Sequence, residues 1–274
     1  MEEAVSDELT DILDYYDSDP EREHVRLERH QLEYDLTWRY LDRWLPPAGN
    51  ILEIGAATGR YTLGLARKGY AVTAVDISQA LLDKCRAILV EAGLGDKVTY
   101  AVADARDLTK VAGESFDAVL LMGPLYHLVD ETDRLAALRE AYQHLKPGSR
   151  IFSAFISRLG IMGELIRRTP EWIENQAEVR SILALGRDPE HQPKGGFRGY
   201  FAQVSEIAPL HEAAGFETIL LAGVEPGISA DDESYNCLEG ERRCLWLDLL
   251  YEISNEPSII GASRHLLYIG QKPA

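Results

Sequence analysis

Cysteine is scarce in this sequence, with three residues in 274. Cys85, Cys237 and Cys244 have no CxxC spacing and no histidine cluster beside them, so neither a disulfide framework nor a metal site is predicted. The first residues lack a basic segment followed by an apolar run, which argues against a signal peptide. No apolar run approaches the ~18 residues of a membrane span. These absences predict a cytoplasmic protein.

Positive charge is also in short supply. The chain has 28 Lys and Arg against 45 Asp and Glu, a net charge of −17. Nucleic-acid backbones and anionic membrane surfaces are held mainly by clustered Lys and Arg, so we expect neither as a partner. The acidity fits simple solubility, with a preference for cationic substrates as the alternative.

Strands and helices alternate through most of the chain. Apolar residues at helical spacing predict a helix within 1–23 and another over about 24–45, which Pro46 and Pro47 end. Short apolar runs then predict strands at 51–54, 71–75, 98–103, 116–121, 151–156, 216–224 and 264–270. Strands that alternate with helices predict right-handed crossovers and a parallel sheet.

One stretch exceeds what such a sheet needs. Residues 158–202 fall where a connection of ~2–6 residues is expected, and their apolar residues predict helices. The predicted organisation is therefore an N-terminal helical lid (1–45), an α/β core (46–157), a helical cap insertion (158–202) and the remainder of the core (203–274), with a smaller elaboration at 227–262. His191, Phe197 and Tyr200 in the insertion either line a substrate pocket or pack the cap.

The most specific signal is the turn that follows the first strand. Glu53 lies in the strand, and a turn containing Gly55, Ala57 and Gly59 then leads into a helix. Glycine lets a ligand approach the backbone closely, and a helix N-terminus offers N–H donors to a negatively charged group. The spacing departs from the dinucleotide fingerprint GxGxxG, and the GK[ST] of a P-loop is missing.

Three further motifs follow later strands. Asp76 ends the second strand about 20 residues after the turn, where an acid can accept hydrogen bonds from two ribose hydroxyls. Asp104 and Ala105 follow the third strand. The fourth strand runs into Met122 and then the sequence Gly-Pro-Leu-Tyr-His-Leu, which contains Tyr126 and His127.

Together these four elements resemble class I S-adenosylmethionine (SAM)-dependent methyltransferases, whose motif I is an acid, any residue, then Gly-x-Gly-x-Gly. Ala57 stands here for the central glycine. The resemblance implies a Rossmann-like three-layer sandwich with a mainly parallel seven-stranded sheet whose last strand is antiparallel. It also implies SAM as cofactor and S-adenosylhomocysteine as product.

The resemblance assigns a cofactor site residue by residue. It places the turn of Gly55, Ala56, Ala57 and Gly59, with Glu53 before it, against the methionine part of SAM. It places Asp76 and Ile77 at the ribose, and Asp104 and Ala105 at the adenine. Met122 completes the site, and Tyr16 touches the cofactor if the leader folds over it as a lid; plain amphipathic packing is the alternative for Tyr16.

His127 is the candidate general base, and Tyr126 is the second candidate catalytic residue. An imidazole with an ordinary pKa of ~6.5 suits proton transfer near neutrality. Packing at the start of the next helix is the alternative for both residues. Met122 stands where enzymes that methylate nucleic-acid or protein amines often carry Asp or Asn, and methionine cannot hold an amine by hydrogen bonds.

The sequence therefore predicts methyl transfer to O or N of a small-molecule acceptor. The alternatives are an RNA or protein methyltransferase, a non-catalytic SAM-binding module and, least favoured by the turn, a nicotinamide enzyme. The acceptor, the need for a general base and the oligomeric state are left open.

Overall fold

A computed structural model describes residues 9–111, 115–187, 199–226 and 232–274, without the side chains of 26–28. Parts of four predicted units therefore lie outside the described residues: 1–8 of the lid, 188–198 of the cap, 227–231 of the smaller elaboration and 112–114 of the α/β core. His191 and Phe197 fall in the second of these segments.

One mixed sheet forms the centre of the molecule. Its strands are β1 (Asn50–Ile54), β2 (Ala71–Asp76), β3 (Val98–Val102), β4 (Phe116–Leu121), β5 (Leu145–Ser157), β6 (Phe201–Ala202), β7 (Glu217–Gly223) and β8 (His265–Gln271). The order is β3-β2-β1-β4-β5-β8-β7, and β6 pairs with β5. Strands β1 to β5 run parallel, and β8 is antiparallel to β5 and β7. The Rossmann-like prediction is confirmed, with the two-residue β6 as an additional eighth strand.

Helices cover both faces of the sheet. They are α1 (Thr10–Asp17), α2 (Pro20–Arg29), α3 (Gln31–Trp44), α4 (Arg60–Arg67), α5 (Gln79–Glu91), α6 (Glu131–His144), α7 (Met162–Arg168), α8 (Gln176–Leu185), α9 (Val204–Ala213), α10 (Asp232–Asn236), α11 (Gly240–Ile253) and α12 (Pro257–Ala262). Alternate residues of β4 enter opposite cores. Val119 packs in the core under α6 and α9, and Leu120 packs in the core under α3, α4 and α5.

The predicted helix over 24–45 is wrong at one position. His30 leaves helical geometry, with φ −90° and ψ 64°, and separates α2 from α3. Its imidazole is buried, with Nδ1 3.5 Å from a carboxylate oxygen of Glu225 and 3.3 Å from one of Asp232. Helical periodicity could not show this break, because the partners of His30 come from distant parts of the chain.

The described part of the predicted cap contains helices and, at its end, the short strand β6. It contains α7, a 3₁₀ helix at Pro170–Glu174 and α8, which Asn175 caps through its side chain. That this unit covers an acceptor stays a prediction.

None of the described helices is both long and apolar enough to cross a bilayer.

A buried ionic cluster joins the N-terminal helices to the end of the sheet. The guanidinium of Arg264, just before β8, contacts carboxylates of Glu225, Asp232 and Glu164, and its Nη2 lies 3.0 Å from His30 Nδ1. Burial lowers the pKa of His30, but hydrogen bonds to Asp232 and Glu225 and the charges of Glu33 and Glu225 together outweigh burial, so the pKa is raised. His30, Glu225 and Asp232 lie close enough together to hold a metal ion, yet the Arg264 guanidinium already supplies positive charge among them.

We expect Arg264→Met to lower the free energy of unfolding by about 3–5 kcal/mol, because it leaves buried carboxylates without their cation. The matched control is Arg39→Met. Arg39 pairs with Asp248 over 2.5 Å, but these side chains are 41% and 59% exposed, so a loss below about 1 kcal/mol is expected. Urea unfolding followed by circular dichroism measures both. Equal losses of unfolding free energy in the two variants would contradict the conclusion that Arg264 stabilises the buried carboxylates.

Candidate active site

A cavity opens at the carboxyl edge of the sheet, where β1, β2 and β4 end. The empty space between its walls, open solvent at its mouth included, is about 910 Å³. Twelve of the thirteen site residues expected from the sequence line it: Tyr16, Glu53, Gly55, Ala56, Ala57, Asp76, Ile77, Asp104, Ala105, Met122, Tyr126 and His127. Open α/β sheets bind ligands at this edge.

Gly59 is the expected residue that does not line the cavity. It precedes α4 with φ +87°, and a Cβ there would collide with the Cys85 side chain on α5. Gly55 does line the cavity, and a Cβ there would come within 2.5 Å of Pro124 Cδ. Both glycines are therefore required by packing around the turn. Their roles toward a cofactor stay predictions.

Ala57 adopts a conformation that favours glycine. Its φ is +48°, the one positive φ of a non-glycine residue in the described ranges. An L-residue in this left-handed region is strained by roughly 1–2 kcal/mol. The position is the one where the resembled motif has its central glycine, so the turn keeps its shape at a cost in strain.

Ala57→Gly is expected to raise the free energy of unfolding by roughly 1 kcal/mol, since glycine adopts positive φ without steric strain. Ala87→Gly is the matched control, because Ala87 is exposed within α5 and has ordinary helical geometry. That change should instead cost about 1 kcal/mol. Denaturant unfolding measures the change in unfolding free energy of each variant. The two changes have opposite signs if Ala57 is strained and the same sign if it is not.

Asp76 ties the turn to the end of β2. One of its carboxylate oxygens accepts from the Ala57 N–H over 2.8 Å, and the other accepts from the Ser78 N–H over 3.0 Å. Burial raises the pKa of Asp76 to about 6, although these hydrogen bonds oppose the shift. At neutral pH Asp76 is therefore charged and faces the cavity.

Glu53 has a different electrostatic character. It is 1% exposed and accepts from the Thr62 hydroxyl over 2.6 Å. Burial raises its pKa to about 8, so the carboxyl is mainly protonated at neutral pH. Two neighbouring acids thus take opposite protonation states at neutral pH. Backbone N–H groups donate to Asp76 and favour its charged form, whereas the hydrogen bond that lowers the pKa of Glu53 comes from the Thr62 hydroxyl.

Asp104 is engaged within the protein. Its carboxylate accepts from the guanidinium of Arg106 over 2.7 Å and from the Arg106 N–H over 2.9 Å, and Arg106 also binds Asp133. Arg106 therefore competes with any ligand for Asp104. The predicted contact between Asp104 and an adenine amino group stays a prediction.

The N-terminal helices close over the cavity. The Tyr16 hydroxyl lies 2.8 Å from His127 Nε2, and the His24 imidazole lies 3.1 Å from the Thr58 hydroxyl. The Ser78 hydroxyl donates to Asp17, and Lys84 binds Glu21 over 2.6 Å. These polar contacts hold α1 and α2 against the turn and α5 in a closed arrangement.

His127 reaches the cavity because β4 ends in a tight turn. Gly123 takes a φ of +135°, a 3₁₀ helix spans Pro124–Tyr126, and the His127 N–H donates to the Pro124 carbonyl over 3.0 Å. The rings of Tyr126 and His127 are 4.8 Å apart. The structure thus brings the candidate base, the lid tyrosine and the cofactor motif to one cavity.

Sequence reasoning missed other lining residues. Arg60 and Tyr61 follow the turn directly, so the motif itself gave a signal for them. Glu23, which is 5% exposed, and Ile12 reach the cavity only because α1 and α2 fold back over the sheet. No local pattern could place these two.

Comparisons with known proteins agree with this geometry. Residues 51–148 match the family model described as a methyltransferase domain. Over 120 residues the chain is 35% identical to a ubiquinone biosynthesis O-methyltransferase of Xanthomonas axonopodis pv. citri (strain 306), covering 43% of this chain and 48% of the relative. The chain thus spans about half the length of the curated relatives it matches.

Solved structures share the fold. A SAM-dependent methyltransferase from Methanosarcina mazei is 21% identical with a TM-score of 0.58, covering 85% of this chain and 97% of the other. A Burkholderia thailandensis 1,6-didemethyltoxoflavin-N1-methyltransferase, with S-adenosylhomocysteine bound, is 15% identical with a TM-score of 0.59, covering 100% and 94%. Residues 51–148 thus match a methyltransferase-domain family, and the chain has the fold of these solved SAM-dependent methyltransferases.

The cavity fits the cofactor of that class. A carboxylate offers about four acceptor positions, and the two backbone donors on Asp76 leave capacity for two ribose hydroxyls. Ile77 and Met122 give apolar walls for a flat base. Arg60 adds a positive charge beside the turn, suited to the carboxylate of the methionine part.

Binding of S-adenosylhomocysteine is expected to weaken about tenfold from pH 7 to pH 5. We expect the ribose hydroxyls to bind the ionised carboxylate of Asp76, whose pKa of about 6 leaves it about nine-tenths protonated at pH 5. Calorimetric titration at both pH values measures this. Asp76→Asn should abolish the pH dependence and bind weakly throughout, whereas Asp83→Asn, on the exposed face of α5, should behave as wild type. A pH dependence that survives Asp76→Asn would exclude Asp76 as its source.

Proposed function

We propose that this protein is a SAM-dependent methyltransferase that acts on an oxygen or nitrogen of a small molecule. The observation that carries the proposal is the hydrogen bond between Tyr16 and His127 at the wall of the cavity that contains the cofactor motif. This bond supports the proposal because it brings a group that can accept a proton to the wall of the same cavity as the cofactor motif.

The protein's contribution is orientation and proton transfer, because SAM supplies a reactive methyl group on a sulfonium. Asp76 and the Gly55–Gly59 turn hold the cofactor, and the closed α1 and α2 exclude water. His127 Nε2 accepts a proton when Nδ1 carries the ring hydrogen, which is the tautomer that lets it accept from the Tyr16 hydroxyl. An acceptor hydroxyl therefore passes its proton to the Tyr16 oxygen as Tyr16 passes its own proton to Nε2, or directly to Nε2 when the Tyr16 hydroxyl is displaced or absent.

Three features support a small acceptor. The helices α1 and α2 lie over the cavity, which favours a small acceptor over a polymer. The net charge of −17 is unfavourable for RNA. Met122 lines the cavity and cannot hold an amine by hydrogen bonds.

The curated relative is named an O-methyltransferase, which favours oxygen as the acceptor atom.

The direct test is transfer of a labelled methyl group from SAM to a panel of small phenols, catechols and amines. Product in the small-molecule fraction, unaffected by ribonuclease or protease treatment of the acceptor mixture, is the expected result. Label recovered only in RNA or protein would support the polymer alternative. Binding of S-adenosylhomocysteine with no transfer to any acceptor would support a non-catalytic SAM-binding module.

His127→Gln is expected to lower kcat by roughly 10²–10⁴-fold, the usual contribution of a positioned general base, while S-adenosylhomocysteine binding is kept. Tyr16→Phe should lower kcat less, since Nε2 can still take the proton directly. His144→Gln serves as the control, because that imidazole bonds to the Glu140 carbonyl of its own helix. Initial rates under saturating SAM measure all three. A His127→Gln enzyme with wild-type kcat would remove the histidine from the mechanism.

A further inference from the structure

The segment that follows His127 is held from inside the protein by one arginine. Arg134, on α6, is 4% exposed, and its Nη1 donates to the carbonyls of Leu128 over 2.7 Å and Val129 over 2.9 Å. These carbonyls belong to the residues immediately after the candidate base. Arg134 thus fixes the backbone on one side of His127.

Tyr200 holds the other side of His127. Its backbone N–H donates to the Tyr126 carbonyl over 2.7 Å. Its ring lies against the guanidinium of Arg134, with Arg134 Cζ 3.5 Å from the ring centroid. The two residues therefore form one stacked unit that binds carbonyls both before and after His127, and we call it the Arg134–Tyr200 clamp.

The clamp is itself braced. The Tyr200 hydroxyl donates to Glu206, and the guanidinium of Arg158, whose side chain is 2% exposed, binds the same carboxylate over 3.0 Å. The Arg158 N–H donates to the Ala202 carbonyl over 2.9 Å. The segment around Tyr200 is thus fixed to β5 and α9, and the clamp has a rigid base.

Burying Arg134 is costly. Burial lowers the pKa of its guanidinium, and its Nε has no hydrogen-bond partner among the described residues. An apolar side chain could fill the space under Leu128 without that desolvation penalty. An apolar side chain could not bind two successive carbonyls and a ring at once. That combination of contacts sets the direction of a short loop.

We propose that Arg134 and Tyr200 are positioning residues that orient the His127 imidazole toward Tyr16 and the acceptor. The inference rests on the proposed function of His127, but the orientation itself can be measured without an acceptor. Neither residue lines the cofactor cavity, so the clamp acts through the His127 backbone.

The test follows the His127 imidazole by NMR in protein labelled at histidine. Its signal is assigned by its disappearance in His127→Gln. Tyr16→Phe should shift the titration midpoint of this signal in the wild-type background, because the hydrogen bond to Nε2 is lost. In an Arg134→Gln background we expect that Tyr16→Phe shift to shrink by at least about twofold, as coupled sites are non-additive.

Three variants complete the design. Arg139→Gln is the matched control, because Arg139 is exposed on the same helix, and it should leave the Tyr16→Phe shift unchanged. Arg134→Lys keeps a donor for the carbonyls and should restore part of the shift. Tyr200→Leu keeps the backbone N–H and removes the stacked ring; it should shrink the shift as well, and it replaces Arg134→Gln if that variant does not fold.

The outcomes separate the two proposals. An unchanged Tyr16→Phe shift in folded Arg134→Gln or Tyr200→Leu, with only the melting temperature lowered, would overturn the clamp and leave a purely structural role. Failure of S-adenosylhomocysteine binding or of methyl transfer in the wild type would instead refute the proposed function, while the imidazole signal would still report on the clamp.

Discussion

The carboxylate of Asp76 is the contact on which the site depends. It accepts one backbone N–H from the turn after β1 and one from Ser78, so it joins the ends of two neighbouring strands. Ser78 in turn caps α5 through its hydroxyl, which accepts from the Leu81 N–H over 3.0 Å, and binds Asp17 of α1. Asp76 and Ser78 thus connect the turn after β1, helix α5 and helix α1. A ligand that binds Asp76 lies next to all three.

Buried charge is concentrated at the carboxyl edge of the sheet. The Arg264 cluster lies where β7 ends and β8 begins, and the Arg134–Tyr200 clamp lies beyond β4 and β5. Each brings together segments that are distant in the chain. Such polar contacts fix the relative position of two segments more specifically than apolar packing does. The polar groups beside the cavity therefore fix geometry, and the apolar cores on the two faces of the sheet supply the stability.

The sequence predicted the parts that depend on local pattern. Strand alternation and the rule that ligands bind at carboxyl edges were enough to place Asp76 and His127 in one site. The break at His30 and the two-residue β6 were missed because each depends on partners far along the chain. The engagement of Asp104 by Arg106 could not be predicted either, because which of two nearby groups an acid binds depends on side-chain geometry.

The central claim is that the cavity under α1 binds the cofactor through Asp76 and the Gly55–Gly59 turn. A crystal structure of the protein with S-adenosylhomocysteine tests it most directly. The account predicts both ribose hydroxyls on the Asp76 carboxylate, with the sulfur directed toward Tyr16 and His127. Density for the ligand elsewhere, or with the ribose away from Asp76, would contradict the account.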